Sequence, residues 1–246
     1  MCSIILATIS ITAHTADKQH IKLAFIADPS TNLYMKFSEL VYIDAFNRLN
    51  IDVSFIVLPP LRASNMADLG KIDGEIARHK KYSDAHPNLI RINEPLFNSA
   101  LSAFTINPAI KIKSWGDIKN SQYKVEYYRG VEVAQQRLSQ LVPASDLTDS
   151  SYPINSLRRL LRGRIDIYID APTIVNALLV TPEFTDKNIQ LIATLEEGEV
   201  YSYLHKQHAE VAIKLAQTFK VMKSEGVFAA YLEQAKQFML AKNDIK

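Results

Sequence analysis

The sequence predicts an α/β fold built from two similar lobes. A short phrase occurs twice, as Gly-Lys-Ile-Asp at residues 70–73 and as Gly-Arg-Ile-Asp at residues 163–166. Each copy follows an amphipathic segment with a Leu-Arg pair and leads into a run that contains isoleucine. A glycine in this place suits the left-handed residue that ends a helix, and the following run is typical of a buried strand. Strands also alternate with helices along the chain, which predicts mostly parallel sheets flanked by helices.

Length and composition exclude several classes of protein. The 246 residues suffice for one large domain or two of ordinary size. Hydrophobic residues make up 48% and charged residues 22%, a balance that excludes extended disorder. The formal net charge is +2 without a concentrated basic run, so no nucleic-acid partner is expected. His205 and His208 stand three apart without a third candidate ligand nearby, so no metal or other cofactor is expected.

The N-terminal residues are interpreted as a signal peptide. The apolar run at residues 3–12 is about ten residues long, whereas a membrane-spanning helix needs roughly 20. Cleavage of the signal peptide after Ala13 or Ala16 is plausible, and we assign residues 1–16 to it. No basic residue precedes the apolar run, which is what an incomplete signal peptide would show. The alternative is a first strand of the domain. Cys2 is the sole cysteine, so the exported chain would lack disulfides, and a periplasmic location is expected.

Hydrophobic periodicity predicts the elements of the first half. The first strand ends at Asp28-Pro29, and Asp28 or Ser30 is the expected N-cap of the following helix. Pro59-Pro60 stops the second strand. The predicted strands lie at residues 21–26, 53–58, 72–77 and 97–105, with extended chain at 89–92, and the helices at 33–46 and 61–69.

The second half continues the alternation. Gly130 is expected to open a helix, and Pro172 suits the first position of another. The predicted strands lie at residues 123–128, 189–195 and 200–204, the helices at 132–141, 172–179, 209–223 and 227–241, a short turn or helix at 114–118, and the second repeat unit at 155–170.

Several motifs in this order resemble family 3 of the bacterial extracellular solute-binding proteins, the periplasmic amino-acid-binding type. The segments that carry the resemblance are Gly-Lys-Ile-Asp at 70–73, Asn-Glu-Pro-Leu-Phe at 93–97, Ser-Trp-Gly-Asp-Ile at 114–118 through Gly130, Gly-Arg-Ile-Asp at 163–166 with Asp170, and the ending at 203–228. Each motif alone is common, and it is their order that indicates the family.

The resemblance implies the type II periplasmic-binding-protein fold, in which two lobes joined by two hinge segments hold a ligand between them. Lobe 1 would comprise residues 20–105 and 198–246, and lobe 2 residues 106–197 with the hinge strands. Ligands of open parallel sheets bind beyond the carboxyl ends of the strands. Residues that follow the two repeat strands should therefore face each other across the cleft.

Arg78 and Asp170 follow or end these repeat strands. A guanidinium can hold a carboxylate with two hydrogen bonds, and an aspartate can accept from an ammonium group. The resemblance places Asp170 at the family's position for the ligand's amino group. Two alternatives remain: Asp170 caps the helix that begins at Pro172, or Arg78 pairs with Glu75, Asp84 or Glu94.

The sequence departs from the family at the anionic end of the site. The loop at residues 79–86 lacks the family's carboxylate-binding arginine, and Val131 replaces its serine or threonine. We expect Arg78 or Arg62 to bind the anionic end of the ligand instead. Backbone amides at the start of the helix at Glu132 would help. Other ligand-binding candidates are Glu75 and the aromatic side chains of Tyr34 and Tyr128, for which the alternative is packing within a lobe.

The resulting functional hypothesis is a monomeric periplasmic solute-binding protein without catalytic activity. It would capture a small polar or zwitterionic ligand and present it to an ABC-type membrane permease. One alternative is an orphan module that senses a ligand. The other is an enzyme similar to cyclohexadienyl dehydratase, in which Glu75 or Asp170 would serve as the general acid.

Overall fold

The computed structural model describes residues 18–119 and 121–243. The signal-peptide prediction for residues 1–16 and Cys2 lie outside the described residues. The strands are β1 His20–Phe25, β2 Asp52–Val57, β3 Gly74–His79, β4 Leu89–Arg91, β5 Phe97–Thr105, β6 Val125–Tyr128, β7 Leu147–Ser150, β8 Ile167–Asp170 and β9 Gln190–His205. The helices are α1 Leu33–Arg48, α2 Pro60–Asp68, α3 Glu132–Leu141, α4 Pro153–Leu161, α5 Pro172–Leu179, α6 Ala209–Ser224 and α7 Val227–Asn243.

The first lobe is built around β1. This strand pairs in parallel with β2 and β3, and β9 pairs antiparallel with β3 and β4. Helices α1, α6 and α7 cover one face, where Phe25, Phe46 and Phe219 are fully buried. Helix α2 covers the other face and buries Ala63 and Ala67. Burial of this apolar surface is the main force that holds the helices on the sheet.

The second lobe is built around β6. This strand pairs in parallel with β7 and β8, and β8 pairs antiparallel with β5. Leu138 of α3 packs with Ile167 on one face, and Leu160 of α4 packs with Tyr168 on the other. Each lobe is therefore a sheet between helices, as the alternating pattern predicts.

Strands β5 and β9 connect the lobes. They pair antiparallel from Phe97 opposite Val200 to Thr105 opposite Gln190. The prediction of two separate segments at 189–195 and 200–204 is wrong, because β9 is one continuous strand. Gly198 and the neighbouring glutamates break the hydrophobic pattern, but the ladder with β5 still satisfies their backbone groups. The lobe boundaries within these strands stay a prediction.

The two repeat units adopt the same local structure. Gly70 follows α2 with φ of +64°, and Gly163 follows α4 with φ of +63°, so both end a helix in the left-handed conformation as predicted. The predicted cap of α1 is wrong, since Asn32 accepts the N–H of Met35 at 3.1 Å. Asp28 instead accepts the N–H of Ser30 in the preceding turn. Among the described residues, no helix has both the length and the apolar character that crossing a membrane requires.

Candidate ligand-binding cleft

A cavity of about 170 Å³ lies between the lobes. Its walls come from the carboxyl ends of β3 and β8, the chain after β1, the first residues of α3 and α5, and the hinge strands β5 and β9. This position follows from the topology, because the carboxyl ends of the parallel strands in both lobes face the same space. A cavity of about 150 Å³ can hold a benzene molecule, so the cleft suits a small organic ligand.

The lobes contact each other directly around this cavity. The Tyr128 hydroxyl donates to the Ile26 carbonyl at 3.2 Å, and Asn32 Nδ2 donates to the Thr173 carbonyl at 3.1 Å. The backbone at Gly130 lies against α2, so closely that a Cβ there would lie 2.5 Å from the Leu61 nitrogen. The structure is thus a closed form of the two-lobe fold.

Asp170 contributes a buried carboxylate to the cavity wall. Its side chain is fully buried and accepts hydrogen bonds from the Tyr168 hydroxyl at 2.6 Å and the Ala171 N–H at 2.7 Å. No cation pairs with it among the residues that the structure describes. Burial raises the pKa of Asp170 to about 7, against the lowering effect of its two hydrogen bonds. Helix α5 has no side-chain cap, so the alternative role of Asp170 as its cap is not observed.

Arg78 also lines the cavity, but Glu75 already holds its guanidinium. Arg78 Nε donates to Glu75 Oε2 at 2.9 Å, and Nη2 donates to Glu75 and, at 2.8 Å, to the Pro60 carbonyl. Burial opposes the charged form, yet the Glu75 carboxylate holds the pKa of Arg78 above its ordinary value. The Arg78–Glu75 pairing that the sequence left open is therefore present.

A backbone irregularity makes this pair possible. Residues three apart point to opposite faces of a regular strand. Between Glu75 and Arg78 the register of β3 against β9 shifts, and Ala77 has φ of +70°. This bulge turns both side chains to the same side, where the guanidinium also lies 5.0 Å from the centre of the Tyr82 ring.

The remaining predicted ligand-binding residues lie elsewhere. Arg62 is exposed on α2, beside a separate crevice that Arg129 and Tyr152 line from the second lobe. Tyr34 packs on Phe97 with ring centres 4.6 Å apart and lines a different groove between the lobes, together with Tyr128. Of the predicted residues, Arg78 and Asp170 line the cavity, and Glu75 contacts Arg78 without lining it. The grooves elsewhere are lined by Arg62, Tyr34 and Tyr128.

Sequence reasoning missed a cross-lobe cluster centred on Glu132. His86 Nε2 lies 2.6 Å from Glu132 Oε1, His79 Nε2 lies 3.5 Å from Glu132 Oε2, and His86 Nδ1 contacts Asp68. Burial lowers the pKa of His86, but hydrogen bonds with Glu132 and Asp68 outweigh it and raise the pKa to about 9. Burial raises the pKa of Glu132, but His79 and His86 lower it to about 2. The signal in the sequence is the loop at residues 79–86, which is rich in histidine and lysine.

Comparisons with known proteins agree with this architecture. No family model matches the sequence. An uncharacterized protein of Shewanella oneidensis is 46% identical over 220 residues, which cover 89% of this chain and 83% of that protein. A histidine kinase sensor domain with similarity to periplasmic binding proteins superposes with a TM-score of 0.73 at 13% identity, over 89% of this chain and 95% of that chain. The P235GK mutant of ArgBP from T. maritima superposes with a TM-score of 0.70 at 11% identity, over 89% of this chain and 95% of that chain.

The chain thus has the two-lobe fold of the periplasmic binding proteins, as the sequence analysis predicts, with a cavity between its lobes. Within this class, the chain belongs to the same family as the Shewanella protein. At 11% and 13% identity the solved structures establish the fold and leave the ligand to be argued from the cleft itself.

Proposed function

We propose that the protein is a periplasmic solute-binding protein that captures a small, amine-bearing ligand between its lobes and presents it to an ABC-type permease. Asp170 carries this proposal, because it is a fully buried carboxylate on the cavity wall that pairs with no cation in residues 18–119 and 121–243, and such a group is a site for a ligand cation. An ammonium group there would keep the two protein hydrogen bonds and supply the missing positive charge.

Capture would work through hinge closure. Periplasmic binding proteins are among the established examples of domain closure around a ligand. A ligand shifts such an equilibrium only through contacts that are better in the closed form. Here Asp170 comes from the second lobe, and Arg78 and His79 come from the first. A ligand that touches both walls gains these contacts only when the lobes meet.

Proton release is a consequence of this geometry. The pKa of Asp170 is about 7 in the protein alone, and a bound ammonium group would lower it. At pH 7 about half of the molecules would then lose a proton on binding. Calorimetry in buffers of different ionisation enthalpy measures this proton number directly.

The first experiment is a thermal-shift screen of the mature protein after unfolding and refolding, with amino acids, amines, dicarboxylates and short peptides. A ligand at 100 times its Kd adds about 2.7 kcal/mol, which raises Tm by about 5–10 °C for a chain of this size. Asp170→Asn should lose the shift, whereas Asp186→Asn, at an exposed site away from the cavity, should keep it. A shift that survives in Asp170→Asn would contradict the proposal.

Presentation to a permease needs a test in cells. Deletion of the gene should abolish uptake of the labelled ligand, and a plasmid copy should restore it. Uptake that continues without the protein would favour a ligand-sensing module in place of transport.

Catalysis is a second candidate, because a buried carboxyl group with a pKa near 7 also meets the requirement for a general acid. On this hypothesis Asp170 would protonate a leaving group of a prephenate-like or arogenate-like substrate. Turnover of either compound, lost in Asp170→Asn, would replace the binding proposal with an enzymatic one.

A further inference from the structure

We infer that the cleft selects a small amine without a carboxylate group, with an apolar body, over the corresponding amino acid. This inference rests on the proposed function and names the ligand class of the same site. It follows from where the charges of the cavity wall lie and from which of them are already paired.

The one arginine of the cavity wall is committed to the protein. Arg78 is 5% exposed, and Nε and Nη2 both donate to Glu75. The pair therefore brings no net positive charge to the cleft. Glu75 is fully buried and does not line the cavity, so its carboxylate balances the guanidinium charge from within the protein. A ligand carboxylate would find a guanidinium whose charge a protein carboxylate already balances.

The protein's own carboxylate occupies the second place where an anion would bind. Glu132 is the first residue of α3 and lines the cavity, at the helix N-terminus where a ligand carboxylate would otherwise be favoured. His86 Nε2 lies 2.6 Å from Glu132 Oε1, so a protein side chain already holds this carboxylate at the helix N-terminus in place of a ligand. A ligand carboxylate at this end would lie beside an ionised glutamate and be repelled.

The hinge adds further negative charge. Glu196, Glu197 and Glu199 of β9 line the cavity together with Glu132 and Asp170. Against these carboxylates, the arginine of the wall is already paired with Glu75, and Lys80 and Arg137 approach only Glu199 and Glu196, at 3.7 and 3.6 Å, without lining the cavity. A cleft lined by one sign of charge concentrates ligands of the opposite sign and excludes those of its own sign.

The rest of the wall suits an apolar body. The side chains of Ile26, Met35, Phe97, Val131 and Ile174 line the cavity. Methylene groups buried against such a surface strengthen binding, whereas a buried carboxylate without hydrogen-bond donors weakens it. With a volume near 170 Å³, the cavity fits an alkylamine or arylamine of about the size of phenethylamine.

Matched pairs of probes test this inference, because each pair differs only in the α-carboxylate. Calorimetry at pH 8 would compare phenethylamine with phenylalanine, and isoamylamine with leucine. We expect at least one amine to bind about tenfold or more tightly than its amino acid. Equal or tighter binding of the amino acids would overturn the inference and leave the proposed function standing. Binding of no amine and no amino acid would overturn both.

A pair of variants tests the role of Glu132 in this selection. Glu132→Gln removes the repelling charge and should bring the ratio of the two Kd values closer to one. His86→Gln breaks the same cross-lobe contact but keeps the charge of Glu132, so it should weaken both probes without bringing the ratio closer to one. A general loss of lobe closure would weaken both probes by the same factor, so it would not change the ratio of their Kd values. An unchanged ratio in Glu132→Gln would overturn the assignment of Glu132 as the group that excludes carboxylates.

Discussion

His86 Nε2 of the first lobe lies 2.6 Å from Glu132 Oε1 of the second, so one hydrogen bond joins the two sides of the cleft. Asp68 holds the other nitrogen of the ring, and Tyr82 stacks on its face with ring centres 4.2 Å apart. These contacts fix the imidazole on the first lobe before the lobes meet. Closure therefore forms a charge-assisted bond with little loss of side-chain freedom.

Closure should depend on pH through this bond. The pKa of His86 is about 9 with Glu132 in contact and falls toward its ordinary value near 6.5 when the lobes part, although Asp68 and His79 remain nearby. The contribution to closure is full below about pH 6.5 and is lost as pH rises through 9. Small-angle scattering from pH 6 to 10 should show a larger radius of gyration at the alkaline end. His86→Gln should remove this pH dependence, and a parent protein that stays equally closed at pH 10 would contradict the prediction.

Asp170→Asn should stabilise the protein alone while it abolishes amine binding. Burial raises the pKa of Asp170, so its unfavourable effect on folding grows as pH rises from 4 through 7. Replacing the carboxylate by a neutral amide should raise the free energy of unfolding at pH 8 by about 2–4 kcal/mol, with little change at pH 4. Urea unfolding at the two pH values measures the difference. If the substitution changed the free energy of unfolding equally at pH 4 and pH 8, Asp170 would not be the titrating group.

Gly130→Ala should prevent closure. The residue has φ of +86°, and a Cβ would lie 2.5 Å from the Leu61 nitrogen and 2.9 Å from the Pro60 Cβ of the other lobe. We expect ligand affinity to fall about tenfold or more. Gly163→Ala is the matched control, because φ is +63° and nothing lies within 4 Å of the added Cβ. Both variants should lose about 1 kcal/mol of stability from backbone strain, but only Gly130→Ala should lose binding.

Arg78→Lys should destabilise the first lobe. Lysine cannot reproduce the two donors that Arg78 gives to Glu75 and Pro60, and the buried Glu75 carboxylate would lose its partner. We expect a loss of about 3–5 kcal/mol in urea unfolding. Arg62→Lys, on the exposed side of α2, should change stability by less than about 0.5 kcal/mol. The double variant Arg78→Met with Glu75→Gln should recover much of the loss, since it leaves no unpaired buried charge.

Local chemical signals made much of the fold predictable. Glycines such as Gly70 and Gly163 mark helix ends because few other residues tolerate a positive φ, and Pro172 marks the start of α5. The polar strand Leu147–Ser150 escaped prediction because it lacks an apolar pattern and depends on its parallel pairing with β6. The candidate site was predictable only in part. Asp170 follows from its place at a strand end, whereas the contact of His86 with Glu132 arises only when the lobes meet.

The cross-lobe bonds of Tyr128 and Asn32 are also expected to affect how fast the cleft exchanges a ligand. Both bonds join the two walls of the cleft, so the lobes can part fully only after these bonds break. Association that waits for such an opening is slower than ordinary encounter, and its observed rate levels off as ligand concentration rises. The need to open the lobes also slows dissociation of the ligand. We therefore expect the contacts between the lobes to set the residence time of a bound ligand, while the charges of the cavity wall set its identity.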